Sequence, residues 1–173
     1  MRNQRINVRK FLIIVLCCSV ALTGCMFCLL QRPGKGTVTA WFQTHKSDVL
    51  LVTECLLQLD YDSCCVWDAS GKVYYMGNEI PVENMEFYHA VKRLFRAGCD
   101  QISRQDTTIE VVLWTTFDVR GIAYSPNYEV PKVQFLTECE LIEGETDWYY
   151  YVDDYEKWRV SGTPAFQFGD DGQ

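Results

Sequence analysis

The pattern of apolar and polar positions changes character several times along the chain. Residues 11–30 carry no charged side chain. Twenty helical residues rise about 30 Å, the thickness of one hydrocarbon core. From Thr37 the apolar positions take helical spacing, with Val38, Trp41, Phe42, His45, Val49, Val52, Leu56 and Leu59 recurring at intervals of three and four. Ser47 and Asp48 offer a cap at which this helix could divide in two. Residues 64–67 and 72–76 then read as a hairpin, turned by Asp68, Ala69, Ser70 and Gly71. A second helix is predicted from Pro81, with Met85, Tyr88, Val91, Phe95, Cys99 and Ile102 as its buried face.

The rest alternates with a period of two. Residues 108–119 form one predicted strand, continued by 121–124, where Gly121 marks a bulge or bend. Ser125, Pro126 and Asn127 end that run. Further strands are predicted over 133–142 and 147–152, while 155–160 either extends the last strand or closes the domain. The expected order is α-β-β-α-β-β-β. The expected fold class is α+β: an N-terminal transmembrane or signal helix, then two amphipathic helices packed on an antiparallel sheet. The domain plan is a basic n-region (1–10), the apolar segment (11–30), a linker (31–36), an α+β domain (37–160) and a tail (161–173).

Charge orients this plan. Arg2, Arg5, Arg9 and Lys10 precede the apolar segment, and no acidic residue occurs before Asp48. Read as an uncleaved signal anchor, the segment holds the N-terminus in the cytoplasm and places the domain outside the cell membrane. A second reading is a cleaved signal. Leu22, Thr23, Gly24 and Cys25 resemble a bacterial lipobox, which implies lipidation of Cys25 as the first mature residue. Residues 26–30 depart from that pattern by remaining apolar. The spanning anchor takes precedence, and both readings expect the membrane as a partner.

Six of the sixteen basic residues lie before Gly36, which leaves ten against twenty-three acidic ones and a net charge of −13 for the remainder. Such a domain repels phosphate backbones, so nucleic acid is excluded as a partner. Nine cysteines suggest a framework until they are placed. Four lie within 11–30, and Cys55, Cys64, Cys65, Cys99 and Cys139 are irregularly spaced and odd in number. Free cysteines acting as small hydrophobes are expected. No Asn-x-Ser/Thr sequon occurs, which favours a bacterial envelope over a secretory pathway.

Candidate chemistry is sparse. Hydrolase-elbow, phosphate-loop, zinc-protease and dinucleotide motifs are all absent, so no catalytic, cofactor-binding or metal-ligating residue is assigned and no enzyme is expected. His45 falls on an apolar stripe and His89 on a charged face, giving no triad base. Carboxylates are abundant: Glu145, Asp147, Asp153 and Asp154 flank the run from Trp148 to Tyr151. In a strand, Tyr149, Tyr151 and Asp153 share one face. That face either packs within the domain or presents two tyrosines beside an acid to a ligand. The leading functional expectation is a membrane-anchored, extracytoplasmic, non-enzymatic interaction module with an envelope protein or glycan as partner. The alternatives are a glycan- or peptide-binding module using Tyr149, Tyr151 and Asp153, and a small hydrolase with a carboxylate pair.

Overall fold

The computed structural model describes residues 13–19, 32–116 and 118–161. The chain divides into two compact units, Met1–Arg32 and Pro33–Gln173. In the first, residues 13–19 are helical. Among the described residues no helix is long and apolar enough to cross a membrane. This corrects the expectation of a transmembrane or signal-anchor helix. With it go the single-pass location at the cell membrane, the membrane partner and the membrane-anchored interaction module. Residues 11, 12 and 20–30, with Cys25 and its proposed lipidation, lie outside the described residues, as does the tail beyond 161.

The second unit is α+β. Helix α1 is Lys35–Leu57, followed by strands β1 (Ser63–Val66), β2 (Val73–Tyr75) and β3 (Asn78–Ile80). Helix α2 (Met85–Arg96) leads to β4 (Gln101–Gln105), β5 (Thr108–Thr115) and β6 (Val119–Tyr124). A 3-10 turn at Pro126–Tyr128 precedes β7 (Leu136–Leu141), β8 (Trp148–Asp153) and the short helix α3 (Tyr155–Ser161). All eight strands join one antiparallel sheet in the order β3-β2-β1-β4-β5-β6-β8-β7. The expected hairpin is present as β1 and β2, but β3 and β4 extend it into the same sheet as the later strands, and the expected meander is broken because the link from β6 to β7 passes over the position of β8.

Each departure has a local cause. Helix α1 runs unbroken through Ser47 and Asp48, because Val38, Phe42, Val49, Val52 and Leu56 stay buried on one face throughout. Asp48 is instead drawn to α2, where the Arg93 guanidinium donates to its two oxygens at 2.9 and 2.6 Å. Helix α2 starts at Met85 rather than Pro81, because the Asn84 side chain accepts the backbone N–H groups of Glu86 and Phe87. Its buried positions are Phe87, Ala90, Val91 and Leu94, so Met85 is exposed. Gly98, at φ 98°, ends that helix and frees Cys99 and Ile102 for the strand that follows.

The two long helices cover one face of the sheet. Phe42, Leu56, Phe87, Leu94, Ile102, Ile109 and Ile122 are fully enclosed there, each contributing about 1.5–3 kcal/mol on removal from water. Phe42 meets Trp148 at 5.0 Å between ring centroids. His45 is half-buried with its ring 4.9 Å from Trp41. On the other face the β6–β7 link acts as a strap. Val130 and Val133 from the strap pack with Val119, Ala123, Leu136, Cys139 and Tyr151 in a second apolar cluster.

Candidate functional site

The last strand places Tyr149, Tyr151 and Asp153 on one face, as the alternation requires. Tyr151 packs with the strap residues Val130 and Val133 and is fully enclosed, and Tyr149, between Ala123 and Leu141 in the sheet, is 9% exposed. The surface expected from these two tyrosines is therefore not available to a ligand. Tyr151 instead donates its hydroxyl to Glu110 Oε2 at 3.3 Å. Burial pushes the Glu110 carboxyl up to about 7, with the Tyr151 hydrogen bond opposing and the charge of Asp153 adding to the rise. Burial also holds the Tyr151 phenol well above its ordinary value.

Asp153 alone of the three reaches an open site. Thr115, Val119, Asp153 and Leu136 form one row across β5, β6, β8 and β7. At the end of that row lies a cleft of about 310 Å³, lined by Thr115, Thr116, Asp118, Val119, Gln134, Phe135, Asp153 and Tyr155. The strap delivers Gln134 and Phe135, the β5–β6 turn delivers Thr116 and Asp118, and α3 delivers Tyr155. Burial raises the Asp153 carboxyl, while the Phe135 backbone N–H opposes that rise by hydrogen bonding. Asp118 is buried and receives Arg120 Nε and Nη2 at 2.9 and 2.7 Å. Arg120 also donates to the Pro33 carbonyl at 3.2 Å, tying this corner to the entry of α1.

Three rings gather at the mouth. Phe135 meets Tyr155 edge-on at 5.0 Å and Trp158 at 5.2 Å, and Tyr155 stacks on Trp158 at 6.5 Å. Tyr155 remains 50% exposed. Asp154 fixes the short helix carrying two of these rings. Its N–H donates to the Phe135 carbonyl at 3.1 Å, and its carboxylate accepts the Lys157 N–H at 3.0 Å. Lys157 Nζ reaches Glu138 on β7 at 2.9 Å.

The carboxylates singled out in sequence are divided between the two ends of β8. Glu145 receives Lys46 Nζ at 2.6 Å and lies beyond the far end from Asp153, with six residues of strand between the ends, about 20 Å. The carboxylate that shares a cleft with Asp153 is Asp118, which sequence reasoning missed. Its only signal is the Asp-x-Arg spacing at a hairpin turn. Phe135 was missed too, because residues 133–142 read as one strand whereas β7 begins only at Leu136 and leaves Phe135 in the strap. Among the described residues, no group of three or more His, Cys, Asp or Glu is arranged to hold a metal ion. No family model matches the chain, and no curated protein or solved structure matches it.

Proposed function

We propose that the protein is a non-catalytic binding module for a glycan, held in the cleft between the β5–β6 turn, the strap and α3. The observation that carries this reading is the half-exposed Tyr155 ring, fixed beside Phe135 and Trp158 at the mouth of a cleft lined with hydrogen-bonding side chains. A sugar offers an apolar face to an aromatic ring and a fringe of hydroxyls to its surroundings. Asp153, Gln134, Thr115 and Thr116 supply acceptors and donors around that fringe. The Arg120 guanidinium holds Asp118, and the Phe135 N–H engages Asp153. Both acids are thus kept in fixed positions by the fold, which suits recognition.

The test is a titration of the full chain with cellohexaose, chitohexaose and maltohexaose, followed by tryptophan fluorescence. Trp158 lies in the ring cluster and reports occupation of the cleft. A saturable change with at least one of these sugars, absent with a monosaccharide of no stacking face, is the expected result. No change with any of them overturns the glycan reading.

A further inference from the structure

Charge is distributed unevenly around the ring-lined cleft. Two of its lining residues are acids, Asp118 and Asp153, and none is basic. The two acids are not equivalent. Asp118 is buried and takes both Nε and Nη2 of Arg120 on one oxygen. Asp153 is half-buried, and among the described residues no Lys or Arg forms an ion pair with it. Arg120 is committed to Asp118 and to the Pro33 carbonyl, and Lys157 to Glu138. The charges that act on Asp153 are acidic instead. Burial raises its carboxyl, Asp154 adds to the rise, and Asp153 in turn pushes Glu110 up. The Phe135 backbone N–H alone opposes the rise. A half-buried carboxylate with acidic neighbours and no counter-ion weighs against the folded state, and a cation from outside the chain relieves that cost.

We propose that the sugar held in this cleft carries an ammonium group, as in a β-1,4-linked oligomer of 2-amino-2-deoxyglucose, and that Asp153 is the residue that selects it. The inference rests on the reading of this cleft as a glycan site and adds the class of sugar. An ammonium facing Asp153 makes a charge-assisted hydrogen bond, about twice as strong as the neutral bond of a hydroxyl in the same place. The half-exposed Tyr155 ring at the mouth serves both parts of such a ligand. It stacks on the apolar face of the sugar and attracts positive charge to its own face. Thr115, Thr116 and Gln134 bond the remaining hydroxyls. A sugar acid is disfavoured, since its carboxylate would meet Asp118 and Asp153 with no basic side chain in the lining. The wider field agrees with this choice. The chain from Gly36 onward carries ten basic against twenty-three acidic residues, which draws cations and repels anions.

The experiment titrates the full chain at about pH 6 with glucosamine hexamer, cellohexaose, chitohexaose and spermine, followed by tryptophan fluorescence. The first two sugars share one backbone and differ only at C2, ammonium against hydroxyl, and chitohexaose carries a neutral acetamide there. Glucosamine hexamer is expected to bind about tenfold more tightly than cellohexaose or chitohexaose. Spermine, a cation without a sugar ring, is expected to give no saturable change. Asp153→Asn keeps the shape and an acceptor for the Phe135 N–H, and is expected to bring glucosamine hexamer and cellohexaose to within about twofold of each other. Glu83→Gln removes an exposed acid outside the cleft and is expected to leave the native preference intact. Cellohexaose binding as tightly as glucosamine hexamer, a preference that survives Asp153→Asn, or an equal response to spermine would overturn the ammonium assignment and leave the glycan reading standing. Absence of binding by every sugar overturns both.

Discussion

The Tyr151 hydroxyl donates to the Glu110 carboxylate at 3.3 Å, spanning from β8 to β5 over the intervening strand β6. The strap covers the tyrosine, and the acid sits where burial raises its carboxyl to about 7. The folded protein therefore holds a proton on Glu110 that the unfolded chain releases near pH 4.5. The stabilising contribution is fully present below about pH 4.5 and is lost as pH rises towards about 7. Glu110→Gln removes the titration, so the variant gains on the native protein across that window by on the order of 3 kcal/mol. Urea unfolding at pH 5 and at pH 8 measures the difference. An identical change in stability for both proteins would remove Glu110 from the account.

Gly121 is fixed by contact rather than by backbone angle. A Cβ at this position would lie 2.1 Å from the Val111 carbonyl oxygen and 3.0 Å from its carbon. Both are main-chain atoms of the neighbouring strand and cannot move without opening the β5–β6 ladder, which already shifts register between Val112 and Trp114. Gly121→Ala is expected to destabilise the protein by about 3 kcal/mol, lowering the melting temperature by about 10 °C. Calorimetry of the variant decides this, and an unchanged melting temperature would mean that the ladder yields easily.

The described cysteines are all free and differ sharply in environment. Burial pushes the Cys99 and Cys139 thiols up to about 12 and the Cys64 thiol up to about 11. At pH 8 these three hold almost no thiolate, so alkylation by iodoacetamide is expected to be slow until the protein unfolds. Cys17 and Cys18 are exposed and are expected to react first. Mass mapping of a timed alkylation gives the order, and early labelling of Cys99 would contradict the burial described.

The elements most legible in sequence are those whose own periodicity decides them. The stripe from Val38 to Leu56 predicts α1, and the alternation after Thr108 predicts β5. What escaped was set by partners distant in sequence. Residues 101–105 carry Ile102, which also fits the end of a helical face, and only the left-handed Gly98 and the pairing with β1 and β5 make them a strand. Whether the face of Tyr151 packs or is presented stays open in the sequence until the strap, with Val130 and Val133, is laid over it. Asp153 was legible as a candidate because it ends a strand beside aromatic residues. Its neighbours Asp118 and Phe135 arrive from two separate connections. The apolar run at residues 11–30 taught the opposite lesson, since composition alone set an expectation of a spanning helix that the described residues do not meet.

The cleft at the end of the β5–β6–β8–β7 row carries the central claim, and calorimetric titration with the hexasaccharide that gives the fluorescence response tests it most directly. The native chain, Tyr155→Ala and Asp153→Asn are compared under one condition. Tyr155 is half exposed, so its removal leaves the core intact and the melting temperature close to native. Loss of the stacking ring is expected to weaken binding about tenfold, and Asp153→Asn is expected to weaken it as well. Undiminished binding by Tyr155→Ala would contradict the assignment of this cleft as the glycan site.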